Sequence, residues 1–132
     1  MKYLMSLLLA SFLWLPVMAE TGEHVLDNSE VLETSSFRGD SGHATSGTAR
    51  LIRHGRNYYV HLENNFKFDG APDPQLGFSK NGSLVKSSLF SKLTSNDGTQ
   101  LYRLRSDFRP ADFDELTLYC KKFNVPLGHA KW

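Results

Sequence analysis

Glycine-centred turn signals cut this chain, from Phe37 onward, into segments too short for long helices. They are Arg38-Gly-Asp-Ser-Gly42, His54-Gly-Arg56, Asp69-Gly-Ala-Pro-Asp73, Asn81-Gly82 and Asn96-Asp-Gly98. Turns at intervals of about ten residues fit a sandwich or barrel of short strands. Between them the apolar period is near two. Tyr58, Val60 and Leu62 share one face, with Tyr59, His61 and Glu63 on the other. Leu76 and Phe78 alternate with Gly77 and Ser79, and Tyr102 and Leu104 with Arg103 and Arg105. The expected fold class is all-β: a single β-sandwich-like or barrel-like antiparallel domain over 37–132. Its expected core is Tyr58, Val60, Leu62, Phe66, Leu76, Phe78, Leu89, Leu93, Tyr102, Leu104, Phe113, Leu116, Leu118 and Phe123. Arg109-Pro-Ala-Asp-Phe113 reads as a one-turn connection that pins Phe113 to that core. Asn81-Gly82 reads as a hairpin turn, and Asn81-Gly-Ser83 is also a glycosylation sequon.

Two segments precede the domain. Residues 1–19 have the form of a signal peptide: Lys2, an apolar run from Tyr3 to Leu15, then Pro16-Val-Met-Ala19. The run is short for a membrane span, and no lipobox cysteine follows it. The expectation is an exported protein without a membrane anchor, periplasmic in a Gram-negative bacterium and secreted otherwise. Residues 20–36 form an acidic leader, read as disordered or as a short helix. Removing Lys2 leaves 14 basic against 14 acidic side chains. The cations of the body are scattered, not arrayed in a stripe with aromatics, so no nucleic-acid partner is expected.

The chain has one cysteine, Cys120. In an exported protein a lone thiol is buried and inert, paired with another molecule, bound to a metal, or redox-active. Leu116, Leu118 and Cys120 fall on one strand face, which points the thiol inward. Beyond Lys121-Lys122 the apolar positions become odd: Phe123, Val125, Leu127. A period of two cannot change parity without an extra residue or a break, so a bulge or kink is expected at Lys121-Lys122. Cys-x-x-Cys-His haem attachment is excluded by the single cysteine. Structural zinc lacks paired ligands. A copper-like site would need Cys120, His43 and either His61 or His129 to meet in space, which spacing alone does not establish. Cysteine or serine hydrolysis has no supporting turn motif. A turn histidine with one local hydrogen bond is the default for His43 and His129, and a turn cap is the default for Asp73.

An ordered set of motifs carries a resemblance. It comprises His43-Ala-Thr-Ser-Gly47, Phe66-Lys-Phe-Asp-Gly-Ala-Pro-Asp73, Leu93 before Gly98-Thr-Gln-Leu-Tyr102, and Leu118-Tyr-Cys-Lys-Lys-Phe123 followed by Gly128-His-Ala130. In these the chain resembles the electron-transfer DM-thirteen domain family. The resemblance implies a sandwich-like extracytoplasmic domain that works in redox or electron-transfer reactions through its cysteine, beside a redox partner protein. Cys120 is then the candidate redox thiol, supported by Tyr119, Asp73 and Lys121. His43 and His129 are weak metal candidates. The cofactor is left open between none and a metal or haem of a partner, and a stand-alone enzyme is not expected. Many family members carry Trp or His where this chain has Tyr119. The alternative is a binding or structural module with an inert, buried cysteine. If redox-active, Cys120 is expected in a shallow pocket near His43 or His129 and the Pro72-Asp73 turn. If structural, it is expected to be enclosed with no polar group in reach.

Overall fold

The structure is a computed structural model and describes residues 21–132. The signal-like segment lies outside the described residues. The chain forms a short helix, α1 (Gly22–Asp27), then β1 (Glu30–Ser36), β2 (Arg38–Gly39), β3 (Thr45–Ser46), β4 (Thr48–His54), β5 (Asn57–Leu62) and β6 (Lys67–Phe68). There follow β7 (Pro74–Lys80), β8 (Ser83–Val85), β9 (Ser91–Lys92), β10 (Gln100–Arg103), β11 (Glu115–Cys120) and β12 (Val125–Lys131).

Two antiparallel sheets face each other and do not close into a barrel. One has the order β1-β4-β5-β10. The other has the order β2-β12-β11-β7-β8, with β9 also on β7. A small β3-β6 ribbon lies between them in sequence and joins the core through Phe68. The hairpins follow from their turn residues. Asn81 and Gly82 take positive φ (52° and 80°), which lets a two-residue turn match the strand twist between Lys80 and Ser83. His54 and Asn57 pair across Gly55-Arg56, where Gly55 alone takes positive φ (62°).

The period-two faces meet as expected. Val60, Leu62, Leu76, Phe78, Leu116 and Leu118 are essentially without exposure and pack in one cluster with Phe66, Tyr102 and Leu104. Tyr58, Leu93 and Phe113 are half-buried against that cluster, and Leu89 is half-buried over Gly77. Phe123 is a correction: it is 60% exposed, because it stands on a turn and not on a strand face.

The segment read as an acidic leader takes up structure. Thr21 caps α1 by accepting a hydrogen bond from the His24 N–H. β1 then pairs with β4 from Glu30↔Arg53 to Ser36↔Thr48. Val25 covers Ile52 and Tyr59 on the outer face of the first sheet, forming a second, smaller core.

Candidate functional site

Cys120 is the last residue of β11, held between Val125 on β12 and Pro74 on β7. It belongs to the main core and is 1% exposed. Its S–H donates to the Pro72 carbonyl at 3.0 Å. The Pro72-Asp73 segment is therefore the lid over the thiol. Asp73 takes a positive φ of 48°, and its carbonyl accepts from the Lys121 N–H at 3.3 Å. Its carboxylate accepts from the Gln75 side chain at 3.1 Å. Asp73 thus acts through backbone shape and a local hydrogen bond, the turn role given by its residue type. Neither expected environment of Cys120 is met in full. The thiol is enclosed, yet a polar atom is in reach.

The chain breaks at Lys121-Lys122 as expected, but with a turn, and a second step of parity follows on the next strand. Lys121 to Asn124 form a tight hairpin turn, closed by the Asn124 N–H donating to the Cys120 carbonyl at 2.8 Å. The second step is a bulge on β12. Leu118 faces Gly128 and Tyr119 faces Pro126, leaving Leu127 as the bulged residue. The bulge inserts Leu127 into the core without disturbing β11. Lys121 and Lys122 lie exposed on the turn, with the Lys122 ammonium 5.6 Å from the Phe123 ring centre.

Tyr119 and His129 stand on the other side of the sheet from Cys120. They share a polar groove of about 550 Å³ with Asp40, Ser79, Thr117 and Asn124. The Tyr119 hydroxyl bonds the Asn124 side chain, and His129 Nδ1 lies 2.8 Å from Asp40. Thr117, the cross-strand neighbour of His129, bonds Ser79 at 2.5 Å. His43 lies at the β3-β6 ribbon, 2.8 Å from Asp69 and against the Phe68 ring. His61 sits on β5 in the other sheet, where burial lowers its pKa. Among the described residues, no three His, Cys, Asp or Glu side chains gather closely enough to share a metal ion. Cys120, His43 and His129 therefore do not gather as one site among the described residues.

His43 and His129 each pair with a carboxylate, and both pairs act on one loop. His129 holds Asp40 at its start, and Asp69 holds His43 and the Ala44 N–H at its end. These contacts were not visible in the spacing, because Asp40 and Asp69 lie far from their partners in sequence. Asp69 is held below the ordinary carboxylate pKa, first by the Ala44 N–H and then by His43. Folding therefore favours its charged form. That contribution is present above pH 3.8, the unperturbed value, and is lost as pH falls through the lower folded value. A carboxyl NMR titration should give Asp69 a midpoint below 3.8, and His43→Ala should raise it. An unchanged midpoint in that variant would leave the Ala44 contact as the whole cause.

A family model described as Electron transfer DM13 matches residues 36–132. No curated relative and no solved structure matches the chain. The matched range includes Cys120 and all strands after β1. The chain therefore belongs to the electron-transfer DM13 family, and its role is redox or electron transfer in this broad sense.

Proposed function

We propose that the protein is an exported electron-transfer domain in which Cys120 is the redox group. A partner protein would approach at the β11-β12 turn. The observation that carries this reading is the setting of the thiol. Cys120 closes the turn that displays Phe123, the most exposed large apolar side chain among the described residues, flanked by Lys121 and Lys122. The Pro72 carbonyl, which accepts from the thiol, and the Asp73 carbonyl, which accepts from the Lys121 N–H, join that turn to the sulfur. Exposed aromatic residues are common anchors of protein contacts. Tyr119 fixes the turn from the opposite side of the sheet through Asn124.

The alternative is a binding or structural module in which Cys120 is a packing residue. Its 1% exposure and its place among core side chains favour that reading. Access to the thiol separates the two. A redox thiol requires local opening of the Pro72-Asp73 lid while the sheets stay intact. Alkylation of native protein by iodoacetamide should then be at least tenfold faster than global unfolding allows. A lid variant, Asp73→Gly, should change that rate more than it changes global stability. Alkylation that tracks global unfolding in both proteins would make Cys120 structural.

Export is tested separately. Expression of the full chain in a Gram-negative host should give a soluble periplasmic product whose first residue is near Glu20. A product retaining Met1, or one held in the membrane, would overturn this part of the reading.

A further inference from the structure

The chain between β10 and β11 repeats a pattern. Arg105-Ser-Asp-Phe108 is followed at once by Arg109-Pro-Ala-Asp-Phe113. Each copy folds as one tight turn. The Phe108 N–H donates to the Arg105 carbonyl at 3.0 Å, and the Phe113 N–H to that of Pro110 at 3.3 Å. Each copy carries an Arg–Asp pair, with Arg105 2.7 Å from Asp107 and Arg109 3.9 Å from Asp112. Each also presents one phenylalanine. The two rings lie 5.7 Å apart and within 10° of parallel.

These turns wall a cavity of about 200 Å³. Phe78 lies beneath it, almost wholly covered, with its ring 4.9 Å from that of Phe108 and 5.1 Å from that of Phe113. Phe90 and Leu104 complete the apolar lining. Ser88 Oγ accepts from the Phe78 N–H at 2.8 Å and ties the Lys86–Ser88 turn to β7. The cavity lies off the start of β11, whereas Cys120 ends that strand. Phe78 pairs with Leu116, four strand steps of roughly 3.3 Å from Cys120, which puts the two about 13 Å apart. The cavity is therefore not part of the thiol's setting.

Its chemistry limits what it takes. A volume near 150 Å³ suffices for a benzene ring, so this half-open pocket has room for a single substituted ring. Haem, flavins and nucleotides are too large for it. Its lining of phenylalanine selects an aromatic guest. The mouth carries two guanidinium and two carboxylate groups and no net charge. A ring bearing a carboxylate would face Asp107 and Asp112, and a ring bearing an ammonium would face Arg105 and Arg109. Each guanidinium has five N–H donors, and each carboxylate has several acceptor sites, so both kinds of partner remain at the mouth. A hydroxyl group, which donates and accepts, suits that mixture. We propose that this cavity is a binding site for a small neutral hydroxylated aromatic ring, a phenol or dihydroxybenzene.

The test is an amide NMR titration of the whole protein with 4-ethylphenol, using 4-ethylbenzoate and ethylbenzene as comparators. Saturable shifts are expected at Phe78, Leu104, Phe108 and Phe113, with 4-ethylphenol binding at least tenfold more tightly than either comparator. Ser87→Phe, which fills the mouth from an exposed position, should abolish the shifts. Asp107→Asn and Arg105→Gln, at highly exposed side chains, should each weaken binding threefold or more with the spectrum otherwise unchanged. Absence of saturation at millimolar 4-ethylphenol would overturn the proposal. So would equal binding of the comparators, or shifts that map elsewhere on the protein.

Discussion

Phe78→Ala should destabilise the domain by about 3–5 kcal/mol, with a fall in Tm of roughly 15–30 °C. Phe78 is 1% exposed at the middle of β7, between Leu116 on β11 and Val85 on β8. Its ring contacts those of Phe90, Phe108, Phe113 and Trp132. Truncation removes the transfer free energy of the ring and leaves a void that four other rings border. They belong to three separate segments, so none can close the gap without moving its own backbone. Phe78→Leu, which keeps most of the volume, should cost under half as much. Chemical denaturation of the two variants checks the ranking. A loss below 1 kcal/mol for Phe78→Ala would mean that the aromatic cluster collapses freely and is not a fixed core.

That cluster shows what the sequence made legible. Leu76 and Phe78, Val60 and Leu62, and Leu116 and Leu118 were placed inward by alternation alone, because each lies on a strand covered on that face. Alternation misled at Phe123, where the odd apolar positions looked like a continuing strand. The turn at Lys121–Asn124 and the bulge at Leu127 both absorb one step of parity, and the sequence does not say which residues remain on the strand. The leader was illegible for another reason. β1 is an edge strand whose residues are mostly exposed, so it carries no burial period. Its order comes from pairing with β4, and a register shift between Val31 and Glu33 blurs the pattern further.

The candidate site divides in the same way. The inward direction of Cys120 followed from parity, and its nearness to the Pro72-Asp73 turn was expected if the thiol is redox-active. The positions of His43 and His129 did not follow, since they depend on Asp69 and Asp40 across the fold. Tyr119 precedes Cys120 directly and for that reason must face the opposite way on a regular strand. It cannot stack on the thiol, whatever its type. Its hydrogen bond to Asn124 gives it a supporting role on the turn instead.

Gly47→Ala should cost roughly 2–6 kcal/mol, although it adds a single methyl group. Gly47 joins β3 to β4 with φ of 102°, in the region that residues with a Cβ rarely adopt. That conformation alone costs an alanine about 1–3 kcal/mol. A Cβ there would also lie 2.5 Å from Phe66 Cα and 2.6 Å from the Asn65 carbonyl oxygen. Both are backbone atoms, so no rotamer change relieves the clash, and such overpacking adds about 1–3 kcal/mol. The strain would be felt at the site. The Gly47 carbonyl accepts from the Phe37 N–H at 2.8 Å, and the Phe37 and Phe66 rings pack edge to face. Phe66 leads into β6, which pairs with β3 and is followed by Asp69, the partner of His43, and then by the Pro72 lid over Cys120. Gly55→Ala and Gly82→Ala separate the two causes. Both positions have positive φ, but nothing lies within 4 Å of an added Cβ. They should therefore lose only the conformational part, and Gly47→Ala should exceed them by at least 1 kcal/mol in denaturant unfolding. Faster alkylation of Cys120 in Gly47→Ala, beyond the fall in global stability, would show that the ribbon transmits this strain to the lid. Equal losses in all three variants would mean that the contact with Phe66 relaxes and that Gly47 serves the turn alone.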